Sequence, residues 1–301
     1  MTRINRVDSV HPVTSVILLT QGDRPVELAR AVERVRAQHL PAGERLEIVL
    51  VVNGGTRPEL PPASDLTVLE LPENVGIPAG RNAGWRASTG DLVVVLDDDG
   101  WLPDDDTLDH VRVAFAAEPD LGILAFRIAD PITGRTARRH VPRLRASDPL
   151  QPGDVTTFLG GAWAIRRVVL DQTGGLPGAF FFSHEETDLA WRALDRGWRI
   201  HYDPDAVLFH PTTSPARHAL YYRTNARNRV WLARRNLPAP LAAAYLGTWI
   251  ALTLARVRNT RALRTWFGGL REGLRTDPGE RRVMRWSTVW RMTRMGRPPV
   301  I

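Results

Sequence analysis

The sequence contains no cysteine and no lysine. The first absence excludes disulfides and thiolate metal sites. The second means that all 40 basic residues are arginine, a bias that a GC-rich genome also produces, so the position of charge says more than the choice of residue. The stretch Met1 to Pro12 is polar and has no apolar core, so no signal peptide is read and a cytoplasmic protein is expected. No internal repeat or low-complexity tract is present. A long apolar run is missing too. Leu241–Val257 has about 17 residues, short of the ~20 a spanning helix needs, and Thr248, Thr253 and Arg256 weaken that reading further.

What is present suits one large domain, or one domain with an appendage: 301 residues, 43% of them apolar and 24% charged. The net charge of +7 is unevenly spread. Residues 217–301 hold 18 arginines against three acids, Glu272, Asp277 and Glu280, while residues 1–216 hold 22 arginines against 30 acids. This break divides the chain into an expected catalytic domain, 1–216, and a basic helical extension, 217–301.

Ser15–Thr20, Leu46–Val52 and Asp91–Leu96 are short, continuous apolar runs rich in β-branched residues. Such runs predict strands covered on both faces, as in a parallel sheet. Between the first two, Leu28, Ala31, Val32 and Val35 recur at helical spacing within Pro25–Gln38, with Asp23 or Pro25 at the start. Leu66–Leu71 and Gly122–Ile128 predict further strands, Glu186–Arg196 a helix, and residues 130–156 a loop. From Ala219 onward the pattern is helical. The expected class is α/β, a Rossmann-like, mostly parallel sheet flanked by helices, whose ligands bind beyond the carboxyl ends of the strands.

The third strand runs into Asp97-Asp98-Asp99-Gly100. Three adjacent carboxylates raise one another's pKa unless a cation offsets them, and a hard ion such as Mg²⁺ or Mn²⁺ prefers such ligands and shares them with phosphates. Position after a buried strand separates this run from Asp104-Asp105-Asp106, which opens a helical pattern and is explained by capping. Upstream, Asn74 to Gly84 places two glycines, a proline and Arg81 before a helix beginning near Ala79, where amides and a guanidinium can meet a phosphate or simply form a loop and cap. Glu185, Glu186 and Asp188 follow the aromatic run Phe180–Phe182 and open another helix. They read as a dipole-favoured cap, or as a general base whose pKa is raised by partial burial. His210 ends the apolar run Ala206–Phe209 and is a metal-ligand candidate if the fold brings it to the aspartates.

In this order the pieces resemble the family 2 glycosyltransferases, which have the GT-A fold, with some likeness to rhamnosyl- and galactofuranosyltransferase-type members. The matches are Asn74, Gly76, Arg81, Asn82 and Gly84, then Asp97 and Asp99, then Glu185, Glu186, Asp188, Leu189 and Arg192, then His210. They cover roughly residues 13–235. The resemblance implies an inverting enzyme that transfers a sugar from a UDP- or dTDP-linked donor to a glycan or lipid-linked acceptor. It implies Asp97, Asp99 and His210 as ligands of Mg²⁺ or Mn²⁺, and Arg81, Asn82, Asp97 and Asp98 on the nucleotide side. Glu186 would be the catalytic base, with Glu185 second, and Trp163 and Asp188 would lie on the acceptor side. Work in envelope polysaccharide or glycolipid synthesis is the matching expectation.

Two departures stand out. Val52 occupies the position where the family carries an acid that contacts the base, which leaves the base open. The turn after the first strand, Thr20 to Pro25, is one residue longer than the usual form; Asp23 there takes over a base contact or caps the helix, and the cap is the preferred reading. The extension combines arginines with Trp231, Trp249, Trp266, Trp286 and Trp290, which suits the inner surface of an anionic membrane. Nucleic acid ranks below the membrane as a partner, and packing against the protein's own domain or another copy is the alternative. A nucleotidyltransferase acting on sugar phosphates, or a non-catalytic binder with a degenerate site, are the competing functional readings.

Overall fold

A computed structural model describes residues 12–144, 148–211 and 220–301. In chain order the elements are β1 (Val13–Thr20), α1 (Pro25–Arg36), β2 (Arg45–Asn53), β3 (Leu66–Leu71), α2 (Ile77–Ala87), β4 (Leu92–Asp97), α3 (Thr107–Ala117) and β5 (Leu121–Ala129). Then come β6 (Gly153–Asp154), β7 (Ala162–Arg166), α4 (Arg167–Thr173), α5 (Glu185–Asp195) and β8 (Arg199–Phe209). Helices α6 (Tyr221–Asn236), α7 (Ala239–Arg256), α8 (Thr260–Arg275) and α9 (Trp286–Arg294) follow. The strands form one eight-stranded sheet in the order β3-β2-β1-β4-β7-β5-β8-β6.

The continuous apolar runs become strands with both faces covered. Along β1, Val16 and Leu18 join one core with Ile48, Leu50, Val94 and Leu96 under α1 and α3. The alternate residue Ile17 joins a second core with Val49, Val51, Val93 and Val95. The two-residue period of the strand distributes one run between two layers.

β1 is parallel to β2 and β4. β7 runs antiparallel to both β4 and β5, and β8 is parallel to β5. The carboxyl ends of β1, β2, β4, β5 and β8 therefore lie along one edge, where β7 begins. A bridge between Trp101 and Phe209 fastens the segment after the aspartate run to the end of β8, which delivers His210 to that run.

The expected boundary at 216/217 lies within 212–219, outside the described residues, as do residues 1–11. The helices beyond it share the sheet's second core: Trp231, Leu232, Leu237, Tyr245, Val289 and Met292 pack with Trp163, Leu189 and Trp191. α8 approaches α6 closely because Gly269 and Gly273 face it. A Cβ on either would meet the carbonyl oxygen of Arg223 or Arg227 at 2.2 or 2.7 Å. Among the described residues no helix is long and apolar enough to cross a membrane.

Two expected caps are not formed. α3 has no side-chain cap from Asp106. Gln38, just past the end of α1, accepts from the Leu108 amide instead, while Asp105 pairs with Arg34 and Asp106 with His39. Likewise α1 is flanked by Arg24 and has no side-chain cap, so Asp23 does not serve as one.

Candidate active site

The aspartate run leaves β4 at the carboxyl edge, and His210 leaves β8 beside it. His210 Nε2 lies 2.9 Å from Asp99 Oδ1 and 3.7 Å from Asp97 Oδ2. One ligand atom from each of the three residues fits within 4.8 Å of the others. His210 Nδ1 lies 2.7 Å from the Pro211 carbonyl oxygen and can only donate to it. In the neutral ring, Nε2 then carries its lone pair toward two carboxylates, an arrangement that a proton or a cation must relieve. Burial alone would lower the His210 pKa, but its bond to Asp99 and the charges of Asp97 and Asp99 raise it. Burial alone would raise Asp99, yet His210 and Arg24 hold it below its usual range. A set of two carboxylates and one such imidazole fits a hard divalent cation.

Arginines brace the set. Arg24 Nη1 is 2.5 Å from Asp99 Oδ2 and 3.4 Å from Asp98 Oδ1. Asp98 is buried, and burial pushes its pKa up to about 6 against the opposing pull of Thr20 and Arg24. The sequence reading missed Arg24. It sits in the turn between β1 and α1, at the same carboxyl edge as the aspartates after β4.

Arg81, buried on α2, donates to Asp97 Oδ1 at 2.8 Å, to the Gly160 carbonyl at 2.7 Å and to Glu186 Oε1 at 3.2 Å. It ties the aspartates to the start of α5, and these partners replace the nucleotide contact assigned to it. Gly160 leaves room for this junction: a Cβ there would stand 2.2 Å from Glu186 Oε1. The Glu186 side chain keeps 14% of its surface exposed. Glu185 is buried, and its Oε2 has no hydrogen-bond partner. Burial raises the pKa of both, and the charge of Glu186 adds to the shift of Glu185.

The loop that aims α5 is held in an uncommon conformation. Phe181, Ser183 and His184 all have positive φ, at 64°, 78° and 71°. Asn228 on α6 fixes it: Nδ2 lies 2.9, 2.9 and 2.8 Å from the carbonyls of Phe180, Phe182 and Ser183. His140 is a second residue the sequence left within a loop. It stands close enough to Asp97 and His210 to feel their charge, and burial with Arg139 and His210 lowers its pKa to about 4.

Three expected site residues are placed elsewhere. Trp163 on β7 is 1% exposed and packs on Phe158, so it cannot stack on a sugar. Asp188 is fully buried; it binds Arg192 at 2.5 Å, Arg235 at 2.9 Å and Asn236 at 2.7 Å, and so joins α5 to α6 rather than facing an acceptor. Asn82 clamps the backbone of Leu176, accepting from its amide at 2.9 Å and donating to its carbonyl at 2.7 Å, and so leaves the nucleotide side. Val52 is buried, so no base contact comes from that position.

Comparison with known proteins bears on the family and the fold. The sequence profile of "Glycosyl transferase family 2" matches residues 15–174. The chain is 27% identical over 208 residues to a pre-mycofactocin glycosyltransferase of Mycobacterium tuberculosis (strain CDC 1551 / Oshkosh). That match covers 63% of this chain and 43% of the relative, so the chain spans less than half of that protein's length. Among solved structures, GalNAc-T7 with UDP, GalNAc and Mn²⁺ superposes at a TM-score of 0.62, with 12% identity, over 86% of this chain and 54% of the other. The mannosyltransferase PcManGT of Pyrobaculum calidifontis, in complex with GDP-Man and Mn²⁺, gives 0.57 at 21% identity over 96% and 85%. These likenesses show the fold, a mixed α/β sheet of the GT-A kind.

Proposed function

The chain belongs to glycosyl transferase family 2, and on that premise we propose that it transfers a sugar from a nucleoside-diphosphate-sugar to an acceptor hydroxyl, with inversion at the anomeric carbon. The observation that carries the reading is the convergence of Asp97, Asp99 and His210 beside an Arg81–Glu186 pair at the carboxyl edge of the sheet. Mg²⁺ or Mn²⁺ held by those three residues would supply the charge that offsets the departing diphosphate. Asp98 and Arg24 lie on the donor side of this set.

Glu186 takes the acceptor proton. Its pKa is raised by burial, which suits a base working near neutrality. Arg81 holds one oxygen, leaving the other for the incoming hydroxyl. As the proton passes to that carboxylate, the hydroxyl oxygen bonds to the anomeric carbon and the bond to the diphosphate breaks on the opposite face. No covalent intermediate is required. Glu185, buried beside it, modulates this charge.

The C-terminal helices extend the reading to location. Trp286 and Trp290 are one turn apart on α9 and are 54% and 62% exposed, with Arg281 and Arg294 exposed nearby. Aromatic residues among cations suit an anionic lipid surface, which supports work at the inner face of a membrane on a glycan or lipid-linked acceptor, as in envelope synthesis.

The test uses the full chain with Mn²⁺ and a panel of UDP-, dTDP- and GDP-sugars. Release of nucleoside diphosphate is expected, lost on chelation and in Asp99→Ala. Full activity in Asp99→Ala would remove the metal assignment, and pyrophosphate as product would select a nucleotidyltransferase.

A further inference from the structure

Beside the start of α5 lies a partly open cavity of about 80 Å³. His184 and Thr187, which bracket Glu185 and Glu186 in sequence, are among its lining residues, as are Thr156, Arg229, Trp249 and Arg297. Neither Asp97, Asp99 nor His210 borders it.

Arg229 differs from the three other buried arginines among the described residues. Arg81 pairs with Asp97 and Glu186, Arg112 with Glu44 and Asp91, and Arg192 with Asp188. Among the described residues Arg229 and Arg297 have no carboxylate within ion-pair distance. Arg229 is buried; it donates to Tyr245 Oη at 3.0 Å and to Asn225 Oδ1 at 3.2 Å, and stacks 3.3 Å from the Trp249 ring centroid. Arg297, half-buried, makes one long bond, 3.3 Å, to the Pro142 carbonyl. Burial lowers its pKa, and Arg229 lowers it further. The same two guanidiniums, after burial, keep His184 neutral. Enclosed guanidiniums without a paired carboxylate are costly, and a bound anion removes that cost through charge-assisted hydrogen bonds. Two lining residues also carry buried polar atoms without a partner, Thr156 Oγ1 and Trp249 Nε1.

We propose that this cavity is an acceptor subsite for an oxyanion, a phosphate or a carboxylate carried by the acceptor, gripped by Arg229 and Arg297 while the hydroxyl to be glycosylated lies at Glu186. Anion binding stands on the cavity alone; its use by an acceptor rests on the glycosyltransferase reading above. None of Asp97, Asp99, Glu186 and His210 lines the cavity, which separates it from the donor diphosphate.

The probe is inorganic phosphate, titrated calorimetrically into the full chain with acetate as the carboxylate arm. Saturable binding at one site is expected, retained when UDP and Mn²⁺ are present and weakened about tenfold or more in Arg297→Gln. Among the described residues Arg297 gives up one long hydrogen bond, so this variant should fold. The thermal midpoint of the wild-type chain, raised by phosphate over chloride at equal ionic strength, gives a readout that needs no variant. Tighter binding of phosphate than acetate assigns a phosphoryl acceptor, and the reverse assigns a carboxylate. Phosphate that is displaced by UDP with Mn²⁺, or that binds Arg297→Gln as well as wild type, overturns the proposal. UDP binding by Asp99→Ala is scored separately. If that variant keeps it, the donor-site reading falls while the phosphate result stands.

Discussion

At the scale of single residues, identity was easier to read than direction. Asp97, Asp99 and His210 were legible because each follows a recognisable apolar strand, and in such a sheet strand ends converge. Asn82, Trp163 and Asp188 were misplaced because their types fit a ligand site as well as a clamp, a core and an ion pair. Only the packing of α2, β7 and α5 decides which way each side chain points. Glu185 yields a prediction of its own. Burial and then the charge of Glu186 raise its pKa in the folded chain. Above the ordinary carboxylate value, near ~4.3, the unfolded chain gives up this proton while the folded chain keeps it. The folded state then binds more protons, so stability falls as pH rises through that window, until the folded pKa is passed. Glu185→Gln removes the titration. Its melting temperature should match wild type at pH 5 and exceed it at pH 8. A difference of the same size at both values would show that the carboxyl is not held protonated.

At the scale of elements, the strands of the amino-terminal half were legible from their apolar runs, within one or two residues at each end. The antiparallel insertion of β7 was not, because a five-residue strand carries no mark of direction. Nor was the service α6 gives to the site. Asn228 straps the strained loop before α5, and Arg235 and Asn236 reach across to Asp188. The basic extension therefore positions the proposed base, a role that charge counting along the chain cannot reveal. Asp188→Ala would leave Arg192 and Arg235 without their shared carboxylate. Breaking a buried ion pair on one side costs about 3–5 kcal/mol, so the urea midpoint should drop sharply. An acceptor-binding Asp188 would instead raise the acceptor KM and leave that midpoint in place, and this outcome would restore the role the sequence suggested.

At the scale of the molecule, the two charge regimes of the chain meet across one core. The acid-rich part gathers its carboxylates at the edge of the sheet, where Arg24 and Arg81 hold them. The arginine-rich part has few acids to pair with, and it leaves Trp286 and Trp290 exposed on α9. Two copies meeting through this region would bring like charges together, whereas an anionic bilayer supplies the opposite charge and an apolar layer for the indoles. The full chain should therefore cosediment with vesicles containing phosphatidylglycerol, far less with pure phosphatidylcholine, and progressively less as NaCl shortens the range of the attraction. Replacing both tryptophans with alanine removes the apolar contribution and leaves the charge. Affinity should fall by about tenfold or more, while the remaining binding becomes more sensitive to salt. Equal sedimentation of wild type and double variant would show that α9 is not the contact. Tighter binding to an oligonucleotide than to the anionic vesicles would assign the basic surface to nucleic acid instead.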